Sequence, residues 1–186
     1  MGRDKGLIKI DGGITIVEKI IGHLKDLFDE ILIVTNDPSS YKKFGAKTVE
    51  DLMKNKGPLG GIFSGLCFST SELNFVVGCD MPFIHPRLIE YILSKPEEYD
   101  IVIPEKNGRF ESLFARYSKS ALPALVSHLM SDELRIQDIL KELHVLKITP
   151  EEAERFDPDH LSFFNINTRE DLKKLRTYCH AHERFL

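Results

Sequence analysis

Short apolar runs alternate with amphipathic segments along most of this 186-residue chain. The runs at 31–34 and 75–77 are continuous and rich in β-branched or aromatic residues, as in strands buried on both faces. Over 17–28, apolar residues instead recur at helical spacing. Strands that alternate with helices predict a sheet with crossover helices. We therefore expect one α/β domain over residues 1–186, with three layers and a doubly wound, mostly parallel sheet.

Two other apolar runs sharpen this expectation. The run at 7–10 predicts a short strand, and the run at 101–103 predicts another that Pro104 ends. The polar segment at 165–168 precedes a charged amphipathic stretch, which predicts a last helix that starts at Thr168.

The composition excludes several classes of protein. With 42% hydrophobic and 29% charged residues, the chain resembles an ordinary soluble globular domain. Its net charge of −4 argues against nucleic acid as a main partner, since such domains carry a basic face. No apolar run approaches the roughly 20 residues that span a bilayer, and the N-terminus is charged. Three cysteines, an odd number without metal-ligand spacing, indicate a reducing compartment. We expect a cytoplasmic protein without nucleic-acid or membrane partners.

Asp80 ends the apolar run at 75–77, and Pro82 stops the strand two residues later. In open α/β sheets, ligands bind beyond the carboxyl ends of the strands. A carboxylate at that place suits Mg²⁺, which takes one or two carboxylates together with substrate phosphates. An acid that only caps a turn or the next helix fits the local pattern equally well.

Two more polar residues follow strand-like runs. Asn36 comes after the run at 31–34, and Asp51 follows a short run at 46–49. If these strands belong to one sheet, both side chains line the same crevice as Asp80. Together the three predict a site for a small molecule.

Three other segments have both a functional and a structural interpretation. Lys5 could be a point charge that binds phosphate, although a lysine near a chain end is usually solvated. The glycines at 57–61 could bring helix amides close to an anion, or serve only to pack a helix on the sheet. Asn165 and Asn167 lie on one face of an extended segment, where they can contact a ligand or cap the last helix.

Four segments in this order resemble the signatures of the molybdenum cofactor guanylyltransferases, a family of the nucleotidyltransferase superfamily. They are Met-Gly-Arg-Asp-Lys-Gly at 1–6, Gly-Pro-Leu-Gly-Gly-Ile at 57–62, Cys-Asp-Met-Pro-Phe at 79–83 and Asn-Ile-Asn-Thr at 165–168. The resemblance extends from residue 1 to about residue 175 and implies a Rossmann-like nucleotidyltransferase fold.

The resemblance also implies an activity: the transfer of GMP from GTP to the phosphate of molybdenum-bearing molybdopterin, with release of pyrophosphate. It implies Mg²⁺ as the cofactor, and handover of the product to molybdoenzyme apo-proteins or other cofactor-assembly proteins. The implied roles are catalysis for Lys5 and Asp80, metal binding for Asp80, nucleotide binding for Lys5, Asn36, Asp51 and Asp80, and contacts on the pterin side for Asn165 and Asn167.

One part of the family pattern is missing from this chain. In the family, a strand and a glycine-rich loop of the type Leu-Ala-Gly-Gly-x-Ser-x-Arg precede the Met-Gly-x-Asp-Lys segment, whereas this sequence starts at Met1. We expect a longer natural chain to supply them. The residues leave open a cytidylyl- or sugar-phosphate nucleotidyltransferase, and a carrier that binds nucleotide or pterin without catalysis.

Overall fold

The computed structural model describes residues 4–10 and 13–181. Within these ranges, no helix has the length and apolar character needed to cross a membrane. The helices are α1 (Ile16–Leu24), α2 (Pro38–Tyr41), α3 (Gly57–Phe68), α4 (Pro86–Leu93), α5 (Leu122–Met130), α6 (Ile136–Ile139), α7 (Pro150–Glu154) and α8 (Arg169–Ala181). The strands are β1 (Leu32–Thr35), β2 (Lys47–Glu50), β3 (Leu73–Val77), β4 (Ile101–Lys106), β5 (Arg109–Phe110), β6 (Phe114–Ser118) and β7 (Val145–Ile148).

The strands form two groups. β1 and β2 are a parallel pair. In the larger group, β6 lies between β3 and β4, and β7 pairs with the other side of β4. β6 is antiparallel to β3 and to β4, and β7 is parallel to β4, so β3, β4 and β7 run in one direction. The short β5 forms a hairpin with the end of β4 and leads back into the antiparallel β6.

Alternating residues of β4 face two separate cores. Ile101 and Ile103 pack with residues of α3 and α5, whereas Val102 packs with residues of α1 and α4. All three side chains are fully buried. Because successive side chains of a strand point to opposite faces, helices cover both faces of the sheet. The three-layer, doubly wound architecture predicted from the sequence is confirmed, with β6 as an antiparallel member.

Two local predictions were wrong. The run at 7–10 is not a strand: Lys5–Leu7 form a 3-10 turn, and Lys9 makes only an isolated bridge to Thr15. β4 continues through Pro104 to Lys106. The ring does not break the strand because the Pro104 carbonyl still accepts a hydrogen bond, from the Glu111 amide at 2.9 Å. A proline lacks only the donor, so one near a strand end is tolerated.

An apolar slot of about 500 Å³ separates β1 from β3. Side chains of both strands line it, together with residues of α1 and α3. The residues of β1 and β3 are only half-buried, in contrast to the first four residues of β4. In the part of the chain that the structure describes, no strand pairing joins the two groups, so β1 and β3 each keep one unpaired edge.

Candidate functional site

Lys5, Asp80 and Asn167 meet beyond the carboxyl end of β3, and we call them the Lys5–Asp80–Asn167 cluster. The Lys5 ammonium donates to Asp80 Oδ2 at 2.9 Å and to Asn167 Oδ1 at 2.7 Å. The side chains of Lys5 and Asp80 are 29% and 17% exposed. The ion pair is therefore partly shielded from solvent, and salt screens it less than a fully exposed pair.

A tight turn after β3 positions Asp80. The Gly78 amide donates to the Leu113 carbonyl at 2.9 Å, and the Met81 amide donates back to the Gly78 carbonyl at 3.2 Å. A Cβ at position 78 would lie 2.9 Å from Asp80 Oδ1, so any other residue here would displace the Asp80 carboxylate. The Asp80 carbonyl accepts from the Ile166 amide at 3.0 Å. This backbone bond fastens the segment that carries Asn167 to the turn that carries Asp80.

The two asparagines have different surroundings. The Asn165 amide group donates to the Phe163 carbonyl at 3.3 Å, whereas the Asn167 side-chain oxygen accepts from Lys5. Among the described contacts, Thr168 and Asp171 cap α8, and neither asparagine side chain does. The Asp171 amide donates to Thr168 Oγ1 at 3.1 Å. The Asp171 carboxylate in turn accepts from the Thr168 hydroxyl and from the amides of Asn167 and Thr168. These bonds hold the pKa of Asp171 below its ordinary value.

Asn36 and Asp51 form a second group at the ends of β1 and β2. Thr35 pairs with Glu50 in the parallel register, so the next residues, Asn36 and Asp51, leave adjacent strands at the same edge. Asn36 is exposed, and Asp51 is partly buried. Across the described residues, neither side chain has a hydrogen bond to the Lys5–Asp80–Asn167 cluster. The slot between β1 and β3 separates the two groups.

Ser64 of α3 holds Asp51 in place. Its hydroxyl lies 2.8 Å from Asp51 Oδ1 and 2.8 Å from the Gly60 carbonyl, and it accepts from the Leu52 amide at 2.9 Å. Asp51 Oδ1 also accepts from the Met53 amide at 2.9 Å. Ser64 is fully buried. This role could not be predicted from the sequence, since a serine in a small-residue helix belongs to no motif.

The glycines of α3 support the packing interpretation at one position. A Cβ at Gly60 would lie 2.6 Å from the Met53 carbonyl and 3.3 Å from Asp51 Oδ1, so only glycine lets the helix approach the Asp51 loop. The start of α3 at Gly57 has no side-chain cap within the described residues. Its first amides are therefore free for an anion as well, as the ligand interpretation requires.

One oxygen of Asp80 is suited to a cation. Oδ2 is bonded to Lys5, and the described contacts include no hydrogen bond to Oδ1. No group of three or more His, Cys, Asp or Glu residues in ranges 4–10 and 13–181 forms a closed metal site. A single hard oxygen ligand fits Mg²⁺, which keeps several waters and completes its shell with substrate phosphates.

Cys79 lies beside Asp80 but is not an activated nucleophile. Cys79 lines the slot, and the side of the residue that faces the slot is exposed. Protein atoms surround the thiol on its other sides. This burial, and after it the negative charges of Asp80 and Asp4, raise the pKa of Cys79 to about 11. The thiol is therefore protonated at neutral pH, and a thiolate mechanism has no support here.

Residues 1–147 match the family model of the MobA-like NTP transferase domain. A probable molybdenum cofactor guanylyltransferase of Natranaerobius thermophilus is 38% identical over 184 residues, which cover 96% of this chain and 89% of the relative. A probable molybdenum cofactor guanylyltransferase of Peptoclostridium acidaminophilum is 39% identical, with 94% of this chain and 81% of the relative covered.

The crystal structure of molybdopterin-guanine dinucleotide biosynthesis protein A from Archaeoglobus fulgidus aligns with a TM-score of 0.83 and 28% identity, covering 97% of this chain and 92% of that one. A 2-C-methyl-D-erythritol 4-phosphate cytidylyltransferase of Thermus thermophilus shares the fold at 15% identity, with a TM-score of 0.68 and 95% and 94% coverage. The Rossmann-like nucleotidyltransferase fold is thereby confirmed. With a family model over most of its length and curated relatives above 30% identity, this chain belongs to the MobA-like NTP transferase family, among the molybdenum cofactor guanylyltransferases.

Proposed function

We propose that this protein transfers GMP from GTP to the phosphate of molybdenum-bearing molybdopterin and releases pyrophosphate. The observation that carries the proposal is the Lys5–Asp80–Asn167 cluster, which places an ammonium group, a carboxylate and a carboxamide beyond the end of β3. Its curated relatives are named for this activity. The more distant cytidylyltransferases share only the fold, so the guanylyl reaction has the stronger support.

The reaction is a displacement at the α-phosphorus of GTP. A phosphate oxygen of molybdopterin forms the new bond to this phosphorus while the bond to the β-phosphate oxygen breaks, and pyrophosphate leaves with the electron pair. Such reactions need positioning and neutralisation of charge more than covalent chemistry by the protein. The described site, in which the Cys79 thiol is protonated and the Lys5 ammonium group lies beside Asp80, fits this requirement.

Lys5 neutralises phosphate charge in this proposal. Its ammonium group has three donors, and two of them are used by Asp80 and Asn167. The third is available to a phosphate oxygen of the nucleotide. Asp80 would hold Mg²⁺ with its second carboxylate oxygen, and the ion would supply further positive charge to the phosphates.

The remaining residues divide between the two substrates. We assign Asn36 and Asp51 to the nucleotide because they lie together beyond β1 and β2, beside the uncapped start of α3. We assign Asn165 and Asn167 to the pterin side because they lie across the slot from that group, on the segment fastened to Asp80.

The slot between β1 and β3 has a volume of about 500 Å³ and is lined mainly by apolar side chains. Both strands offer an unpaired edge, and the turn at Lys5–Leu7 lies at its end, where a Cβ at Gly6 would be 3.5 Å from the Cys79 Cβ. We propose that the strand and glycine-rich loop of the family pattern precede Met1 and occupy this slot. The intact mass of the protein expressed from its own gene tests this: a mass above 21.3 kDa supports it, and a mass of 21.3 kDa contradicts it.

The setting of the reaction is a further part of the proposal. We place the protein in the cytoplasm, where GTP is available and where free thiols such as Cys67 and Cys79 persist. Handover of the dinucleotide to molybdoenzyme apo-proteins or other cofactor-assembly proteins follows from the product's use as a cofactor.

A competition between two nucleotides tests the substrate. The protein is incubated with Mg²⁺, molybdenum-bearing molybdopterin and equal concentrations of GTP and CTP, and the dinucleotides are separated by mass. We expect the guanine dinucleotide to be the main product. A main product that contains cytosine would contradict the guanylyl assignment, but it would not contradict the proposed role of Asp80 in nucleotidyl transfer.

A further inference from the structure

Tyr41 reaches from α2 to the turn that carries Lys5. Its hydroxyl donates to Asp4 Oδ1 at 2.6 Å, and the Gly6 amide donates to the same oxygen at 3.1 Å. The Tyr41 side chain is buried, and its ring packs edge-to-face on Phe44 with centroids 5.7 Å apart. One carboxylate oxygen therefore ties together α2 and the backbone on both sides of Lys5.

The turn fits closely between α2 and the end of β3. A Cβ at Gly6 would lie 2.7 Å from the Tyr41 hydroxyl and 3.5 Å from Cys79 Cβ. The backbone at Gly6, the residue after Lys5, therefore lies close to both neighbours and has no room for a side chain beside the Tyr41 hydroxyl. A lysine side chain is long and has many rotamers, so its ammonium group is placed well only if its backbone is held.

We propose that Tyr41 and Asp4 are positioning residues, which hold the backbone of Lys5 so that its ammonium group lies between Asp80, Asn167 and the phosphate of the nucleotide. We call the hydrogen bonds of Asp4 to Tyr41 and to the Gly6 amide the brace. The role of Lys5 rests on the proposed function, whereas the brace is present in the fold whatever the reaction is. Because α2 begins two residues after Asn36, the same contact links the loop on the nucleotide side to Lys5.

The chemistry of Tyr41 suits a permanent brace. Burial, and after it the hydrogen bond to Asp4, raise the pKa of Tyr41 above its ordinary value. The hydroxyl thus stays a proton donor throughout the pH range in which the enzyme can be assayed.

The first test removes only the hydroxyl, in Tyr41→Phe, which keeps the buried ring. The matched control is Tyr91→Phe, since Tyr91 also donates to a carboxylate, that of Glu152, but does so between α4 and α7. We expect a loss of about tenfold in kcat/KM for GTP from Tyr41→Phe and less than twofold from Tyr91→Phe, because small displacements of a positioning group reduce rates strongly. Equal losses in the two variants would overturn the proposal.

A second variant separates positioning from general stability. In a Lys5→Met background, Tyr41→Phe should have no further effect on the residual activity, because the brace acts through Lys5. The same factor in both backgrounds would show that Tyr41 acts elsewhere.

A third measurement needs no activity at all. Modification of Lys5 by an amine-specific reagent, followed by peptide mass spectrometry, should be several-fold faster in Tyr41→Phe than in the unaltered protein or in Tyr91→Phe. Faster modification without any guanylyl transfer would support the brace and refute the proposed function. An unchanged rate of Lys5 modification would refute the brace itself.

Discussion

The Lys5–Asp80–Asn167 cluster and the Asn36–Asp51 group lie on opposite sides of the slot, and they differ in how fully the fold assembles them. The cluster is closed by direct hydrogen bonds between residues 75 and 162 positions apart. In the other group, Asp51 is held by α3, while Asn36 is exposed to solvent. The contrast teaches that direct contacts between side chains distant in sequence assemble the cluster, whereas in the other group only Asp51 is held by the fold. We expect changes in the cluster to affect kcat, and changes near Asp51 to affect KM for GTP.

The largest expected effect comes from Asp80→Asn. The substitution keeps the shape of the side chain but removes the charge that pairs with Lys5 and that, in our proposal, holds Mg²⁺. We expect kcat to fall about 10³-fold, in the range seen when a charged group at a phosphoryl or oxyanion site is lost. Steady-state release of pyrophosphate measures it. A loss confined to KM would show that Asp80 serves binding alone.

Lys5→Met ranks second, because the side chain keeps its length and loses only its charge. We expect kcat to fall about 10²-fold, with a smaller rise in KM for GTP. Lys9→Met, a change at an exposed lysine four residues away, is the matched control and should stay within twofold. If both variants lost the same activity, the charge near the N-terminus would act through long-range attraction and not through the cluster.

Ser64→Ala tests the other side of the slot. It removes the hydroxyl that Asp51 and the Leu52 amide share, and it leaves that partly buried amide without its acceptor. We expect KM for GTP to rise about tenfold with kcat nearly unchanged. Unfolding in urea should show a loss of about 1 kcal/mol, at the lower end of the cost of an unsatisfied group, because the Leu52 amide is only partly buried. A fall in kcat with an unchanged KM would contradict the expectation that changes near Asp51 affect the binding of GTP and not the rate of the reaction.

The smallest effect concerns the cap of α8, which anchors the segment that carries Asn167. The folded pKa of Asp171 lies below its unfolded value, so its contribution to stability is present above about pH 4 and is lost as the pH falls through the folded pKa. Asp171→Asn should therefore lower the melting temperature at pH 7 and have little effect near pH 2. If Asp171→Asn lowered the melting temperature equally at both pH values, the charge of Asp171 would not contribute to the cap.

The sequence was informative where a motif coincides with the end of a strand. The interruption of an apolar run by Asp80 and the position of Asp51 after β2 could both be read from local pattern, and the layered fold followed from the alternation of strands and helices. The family resemblance assigned Lys5 and Asp80 to one catalytic site, since nothing local indicates a contact across 75 residues. The contact of Lys5 with Asn167 was not predicted.

The rest depended on tertiary packing. The different surroundings of Asn165 and Asn167 depend on the backbone bond between Ile166 and Asp80, which the sequence does not encode locally. The continuation of β4 through Pro104 depends on which edge of the strand needs a donor. Tyr41 escaped notice because a buried tyrosine ordinarily predicts only a core position.

The measurement that tests the central claim most directly follows pyrophosphate release and dinucleotide formation in one reaction, with GTP binding measured in parallel for the unaltered protein and for Asp80→Ala. We predict that the unaltered protein forms pyrophosphate and guanine dinucleotide in equal amounts, and that Asp80→Ala forms neither at a comparable rate. If both proteins bound GTP and neither released pyrophosphate, the chain would be a nucleotide carrier, and the catalytic role of the cluster would be refuted.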